Sequence, residues 1–519
     1  MLVKINGAAV QGIDAISVMI EVSVDKGFGF CIVGLPDTAV KESYQRILSA
    51  VKVSGIDFPR RQVVINMSPA DIKKEGSSYD LALAIGILAA DEKIKSDNIN
   101  RYMIMGELSL DGSVLPIKGV LPMAIKAREE GLEGIIVPKV NVMEAAVVNN
   151  LKVFGVENIL EVIGFFNGTH DLEPVEIDTR EMFKQQINHF DFDFSEVKGQ
   201  ENVKRAFEVA CAGGHNILLV GSPGSGKSMM AKRLPSIMPP LTLQEALETT
   251  KIHSVAGKLE RGSMLMTQRP FRSPHHTISP IALVGGGSNP IPGEISLASN
   301  GILFLDEFPE FSRAVLEVMR QPLEDRHITI SRAKYTVDYP ANFMLVASMN
   351  PCPCGYHNHP TKRCICPPGA VQKYLNRISG PLLDRIDLQI EVSPVEFDDM
   401  ASTAPAESSA AIRERVVKAR EIQTERYKNE KGIFCNAQMT TKLMHQYAQP
   451  DEQGLERLRD AMTRLNMSAR AYDRILRVAR TIADLEGSEK VEMPHIQEAI
   501  GYRNLDRASW AGTYDTFSK

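Results

Sequence analysis

Asn216–Leu234 reads NILLVGSPGSGKSMMAKRL. The apolar run Ile217–Val220 predicts a strand buried on both faces. Gly221 follows, then four residues, then Gly226-Lys227-Ser228 and a helical pattern. This is a complete phosphate loop in strand–loop–helix context. Its glycines let backbone N–H groups close around phosphate oxygens, and the helix N-terminus adds partial positive charge. Gly221, Ser222, Pro223, Gly224, Ser225, Gly226, Lys227 and Ser228 are therefore the expected cradle for ATP. Lys227 would reach the outer phosphates and Ser228 would hold Mg²⁺. A glycine-rich turn with a chance lysine would not bring both flanking patterns with it.

Downstream, GILFLDE offers a second buried strand, Ile302–Leu305, that delivers Asp306 and Glu307 at its end. Asp306 is the expected Mg²⁺ carboxylate and Glu307 the base that polarises the attacking water. A third strand, FMLVAS, leads to Asn350, the candidate to orient that water as sensor 1 does in AAA+ ATPases. In RISGPLLDRID, Arg385 is the candidate arginine finger donated to a neighbouring subunit, with Arg377 as second choice. The alternative for Arg385 is a salt bridge to Asp384 or Asp387. Arg470, Arg474 and Arg477 recur at i, i+4 and i+7. Arg470 is the candidate sensor 2, whereas Arg474 and Arg477 read as a solvated basic face.

The rest of the chain frames these motifs. At 519 residues it is too long for one core, so two to four domains are expected. A net charge of −5 argues against a whole-protein nucleic-acid binder and leaves only local basic patches for that purpose. No signal peptide is visible, and LALAIGILAA at Leu81–Ala90 is too short for a bilayer and reads as a buried helix. A cytoplasmic protein without a membrane partner is expected. Residues 1–167 alternate β-rich and helical stretches, a mixed α/β domain. Residues 168–195 read as an acidic linker, 196–395 as the α/β ATPase core and 396–519 as a helical lid.

Four of the seven cysteines fall in CPCGYHNHPTKRCIC: Cys352, Cys354, Cys364 and Cys366. Four thiolates in one Pro/Gly-rich loop suit a structural Zn²⁺, although C-x-C spacing is tighter than usual. The alternative is a set of reduced cysteines in a loop.

The order GSPGSGKS, FRSPHHTISPIALVGGG, GEISLASNGILFLDE, ASMNPCPCG, SGPLLDRID and SARAYDRILRVARTIADLEG resembles the magnesium-chelatase-like AAA+ ATPases, and within them the ComM/YifB competence-protein family. The resemblance implies a homo-oligomer, a hexameric ring with ATP sites between subunits. It also implies inserts: one holding His275, His276 and Gly285–Gly287, the other the hairpin HITISRAKYTVDYP. The hairpin tip bears Arg332 and Lys334, candidates to contact the DNA backbone in a central pore; an ordinary polar turn is the alternative. The N-terminal domain resembles the Lon proteolytic fold. Ser78 falls at the Lon serine position, but Leu121, Pro122 and Met123 stand where the Lon segment carries its lysine. A serine without a base is a poor nucleophile, so no peptidase activity is expected.

Two function classes follow. One is a DNA helicase driving branch migration in recombination of incoming DNA during natural transformation, with recombination proteins as partners. The other is a protein-remodelling or chelatase-type motor acting on a protein partner.

Overall fold

The structure is a computed structural model that describes residues 1–186, 190–260, 262–287, 290–331, 336–395, 406–465 and 467–503. Three hydrophobic clusters organise it.

The N-terminal unit is a seven-stranded mixed sheet. Its order is Gly29–Val33, Gln62–Ser68, Asp14–Asp25, Leu2–Gln11, Tyr102–Ile104, Gly134–Pro138, Lys152–Val156. Val18, Ile20, Val22 and Val24 alternate inward from one strand, as a one-sided strand requires. The helix Asp80–Ala90 lies on this face and is buried along its whole length. Gly86 lets it settle there, since a Cβ at that position would come within 2.7 Å of Val22.

Within 168–195, Val175 bridges Val153 at the sheet edge and Thr179–Gln186 is helical. Thr179 is buried and donates to the Val147 carbonyl at 2.9 Å. The spacing of apolar residues there was too sparse to predict a packed segment.

The central unit is a five-stranded, wholly parallel sheet. Its order is Phe271–Arg272, Ile302–Leu305, Met344–Met349, Ile217–Gly221, Leu388–Val392. The three middle strands are entirely buried, because helices and loops cover both faces. The Met344–Met349 strand lies between the phosphate-loop strand and the Asp306 strand. All three therefore end on one rim.

C-terminal helices span Ser409–Tyr427, Thr441–Tyr447, Glu452–Arg464, Ala469–Leu485 and Met493–Gly501. Ile412, Val416, Tyr427, Ile475, Leu476 and Ile482 join Phe207, Leu219 and Phe304 in one cluster, so the helical unit shares its core with one face of the sheet. The N-terminal unit meets the helix Leu243–Val255 through the ion pair Lys251–Asp14 at 2.7 Å and a hydrogen bond from Ser254 to Glu144. Among the described residues no helix is long and apolar enough to cross a membrane.

Candidate functional site

The phosphate loop closes between a buried strand and the helix that begins at Lys227, with Gly226 as its left-handed cap at φ 86°. Lys227 is 8% exposed. Its ammonium donates to the carbonyls of Gly221 (2.8 Å) and Ser222 (2.9 Å) and lies 3.4 Å from Asn350 Oδ1. Burial pushes its pKa below the ordinary lysine value, and Asp306 opposes that shift. Ser228 Oγ donates to Asp306 Oδ2 at 2.6 Å, and Ser348 Oγ donates to Asp306 Oδ1. Hydroxyl and carboxylate oxygens side by side are the donor set that Mg²⁺ accepts. The sheet order thus brings together Lys227, Ser228, Asp306 and Asn350 from three strand ends. Ser348 was not legible as a partner, because its role follows from strand adjacency alone.

Glu307 occupies the left-handed region at φ 54°. A non-glycine residue there costs about 1–3 kcal/mol and persists where the surroundings hold it. Its carboxylate is exposed and meets His276 Nδ1 at 3.2 Å. This contact comes from the insert after Phe271–Arg272 and has no signature in local spacing.

Arg385 and Arg470 lie elsewhere. Ile217 is paired with Leu388 and Gly221 with Val392, in parallel. A parallel strand rises about 3.3 Å per residue, so the phosphate-loop rim and the Leu388 rim are about 13 Å apart. Arg385 precedes Leu388 and is therefore on the opposite rim from Lys227. Its guanidinium donates to the Pro381 carbonyl at 2.8 Å and pairs with Glu324. The expected alternative partners, Asp384 and Asp387, are not the ones it takes.

Arg470 is exposed and pairs at 3.7 Å with Asp384, on that same rim. Arg474 and Arg477 do not form a solvated face. Arg474 pairs with buried Asp387 at 2.8 Å, and Arg477 is half-buried. Burial works against the Asp387 carboxylate, but the Arg474 charge and the His215 hydrogen bond outweigh it and hold its pKa low. Arg377 pairs with Glu310 at 2.7 Å, just past the Asp306 strand. Arg332 and Lys334 lie outside the described residues, although the strands His327–Ser331 and Thr336–Pro340 that flank them form an antiparallel hairpin.

The four sulfurs of Cys352, Cys354, Cys364 and Cys366 all lie within 4.8 Å of one another. Three separations are 3.3, 3.8 and 3.5 Å. Zn–S bonds of about 2.3 Å place tetrahedral sulfurs about 3.8 Å apart, so the cluster fits a Zn²⁺. Burial raises the Cys352 thiol to about 12 and also raises Cys366, whereas at Cys354 burial is outweighed by the backbone N–H groups of Ile365 and Tyr356, which bring it down to about 6. In the N-terminal unit, Leu121, Pro122 and Met123 are buried apolar residues.

A phosphate loop and a carboxylate pair on the rim of this parallel sheet, with Asn350 between them, define an AAA+ P-loop ATPase. Residues 193–400 match the family described as "Magnesium chelatase, subunit ChlI". Residues 20–141 match "Subunit ChlI of Mg-chelatase" and 406–503 its C-terminal part. Competence protein ComM of Haemophilus influenzae is 41% identical over 512 residues, 98% of each chain. YifB of Escherichia coli is 41% identical over 506 residues, 97% of each. Lon protease 2 of Bacillus subtilis is 31% identical over 180 residues, 31% of this chain and 32% of that one. The chain belongs to the ComM/YifB family of magnesium-chelatase-like AAA+ ATPases.

Proposed function

We propose that this chain is one subunit of an ATP-hydrolysing ring, hexameric by family resemblance, that moves branched DNA in recombination. One observation carries the ring: Arg385 and Arg470 sit on the rim opposite Lys227, out of reach of the nucleotide their own loop would hold. An ATP molecule in that loop would then receive the charge of Arg385 and Arg470 only from the next subunit, while Arg377 stays beside its own rim through Glu310.

The roles follow from the rim. Lys227 leaves its carbonyl partners to meet the outer phosphates. Ser228 and Asp306 hold Mg²⁺, which neutralises phosphate charge when bound. Asn350 orients the water, Glu307 accepts its proton, and the neighbour's Arg385 stabilises charge that builds in transfer. Arg470 assists from the same neighbouring rim. The four cysteines hold a structural Zn²⁺ beside the loop.

DNA as substrate is supported by the relative named a competence protein and by the basic sequence at Arg332 and Lys334. Phosphate contacts need only placed positive charge, and a ring repeats it in every subunit. The test is ATP turnover with four-way and forked DNA. Stimulation is expected, and Arg332→Ala with Lys334→Ala should abolish it at an unchanged basal rate. Full stimulation of the double variant contradicts the hairpin as the DNA contact, and stimulation by a protein partner instead of DNA favours a remodelling motor.

A further inference from the structure

The cysteine loop has few buried anchors of its own. Of residues 351–369, only Pro351, Cys352 and Gly355 are buried. Its shape depends on the sulfur cluster, because a solvated loop otherwise retains the conformational freedom that closure must remove.

Two of its buried residues adjoin the ATP site, Cys352 along the chain and Gly355 in space. Cys352 follows Asn350 by two positions, and the Asn350 side chain meets Lys227 at 3.4 Å. Asn350 also bonds through its backbone to the Tyr374 hydroxyl, on the helix Ala370–Leu375 that the loop leads into. Gly355, at φ 82°, lies against Pro223 in the phosphate loop. A Cβ at Gly355 would sit 2.5 Å from Pro223 Cδ, so the Gly355 backbone meets the Pro223 ring without room for a methyl group. The sulfur cluster therefore braces the water-orienting residue on one side and the phosphate cradle on the other.

We propose that the zinc and nucleotide sites are thermodynamically coupled: the metal sets the positions of Asn350 and Pro223, and ATP binds more tightly to the metal-loaded chain. This rests on the zinc and ATP readings above. Coupling between two binding sites is reciprocal, so bound nucleotide tightens zinc by the same factor that zinc tightens nucleotide.

The experiment measures both affinities on the full chain. The probes are Zn²⁺ with a zinc-selective chelator, and a fluorescent, non-hydrolysable ATP analogue with Mg²⁺. Chelation is expected to weaken the analogue by roughly tenfold, within the usual range of such couplings. Zinc readdition should restore it, and the analogue should raise zinc affinity by an equal factor. Gly355→Ala leaves all four sulfurs in place. It should keep one zinc per chain and a cooperative melt yet bind the analogue more weakly. Equal analogue affinity with and without zinc overturns the coupling. If the zinc-free chain unfolds, an unaltered affinity in Gly355→Ala overturns it instead. A chain that takes no zinc overturns the cysteine reading as well, and one that binds no analogue in either state overturns the phosphate-loop reading.

Discussion

The Asn216 side chain ties Arg385 to the central sheet: its Nδ2 donates to the Arg385 carbonyl at 3.0 Å, while its Oδ1 accepts from the backbone N–H of Leu345 at 2.8 Å. One amide thus joins the start of the phosphate-loop strand, the start of the Asn350 strand and the turn that carries Arg385.

Asn216→Ala removes both bonds and leaves a buried N–H and a carbonyl without these partners, at about 1–3 kcal/mol each. The expected result is a lower thermal midpoint and a fall in kcat larger than the loss of ATP affinity, because the arginine moves while the cradle stays. Turnover and nucleotide titration on the same preparation check this.

Glu307→Gln keeps the size of the side chain and removes the base. Hydrolysis is expected to fall by about 100-fold or more while ATP binding persists. Stopped turnover with retained nucleotide is the readout, and near-normal turnover would remove Glu307 from the chemistry.

His215 gives a pH signature. It is fully buried between Asp387 and Thr481, at 3.3 and 2.8 Å, and burial depresses its pKa below 6.5. Below pH 6.5 the unfolded chain takes up a proton that the folded chain refuses. Stability therefore falls as pH drops from 6.5 toward the depressed folded value, at up to about 1.4 kcal/mol per pH unit, and this group contributes no slope above that window. His215→Gln should flatten that part of a thermal-midpoint profile.

The grouping of the nucleotide rim was legible in sequence because its residues follow largely apolar strands, of which Met344–Met349 is interrupted by Ser348. Lys227, Asp306, Glu307 and Asn350 each follow such a run, and parallel strands deliver their ends to one side. What was hidden depends on distance in sequence. Asn216 meets Arg385 across 169 positions, and His276 reaches Glu307 from a separate insert. Arg474 carried a solvent-facing pattern because its partner, Asp387, lies on a strand start that helical spacing cannot reveal.

The placement of Arg385 opposite Lys227 is tested most directly by mixing two inactive chains. Lys227→Ala lacks the cradle lysine and Arg385→Ala lacks the finger, and each alone should show little turnover. In a ring of equal, randomly mixed parts, about a quarter of interfaces pair an intact cradle with an intact neighbouring arginine. ATP turnover should return in the mixture to a corresponding fraction of wild type. A mixture as inactive as its components, or an Arg385→Ala chain that turns over normally alone, would contradict a site shared between subunits.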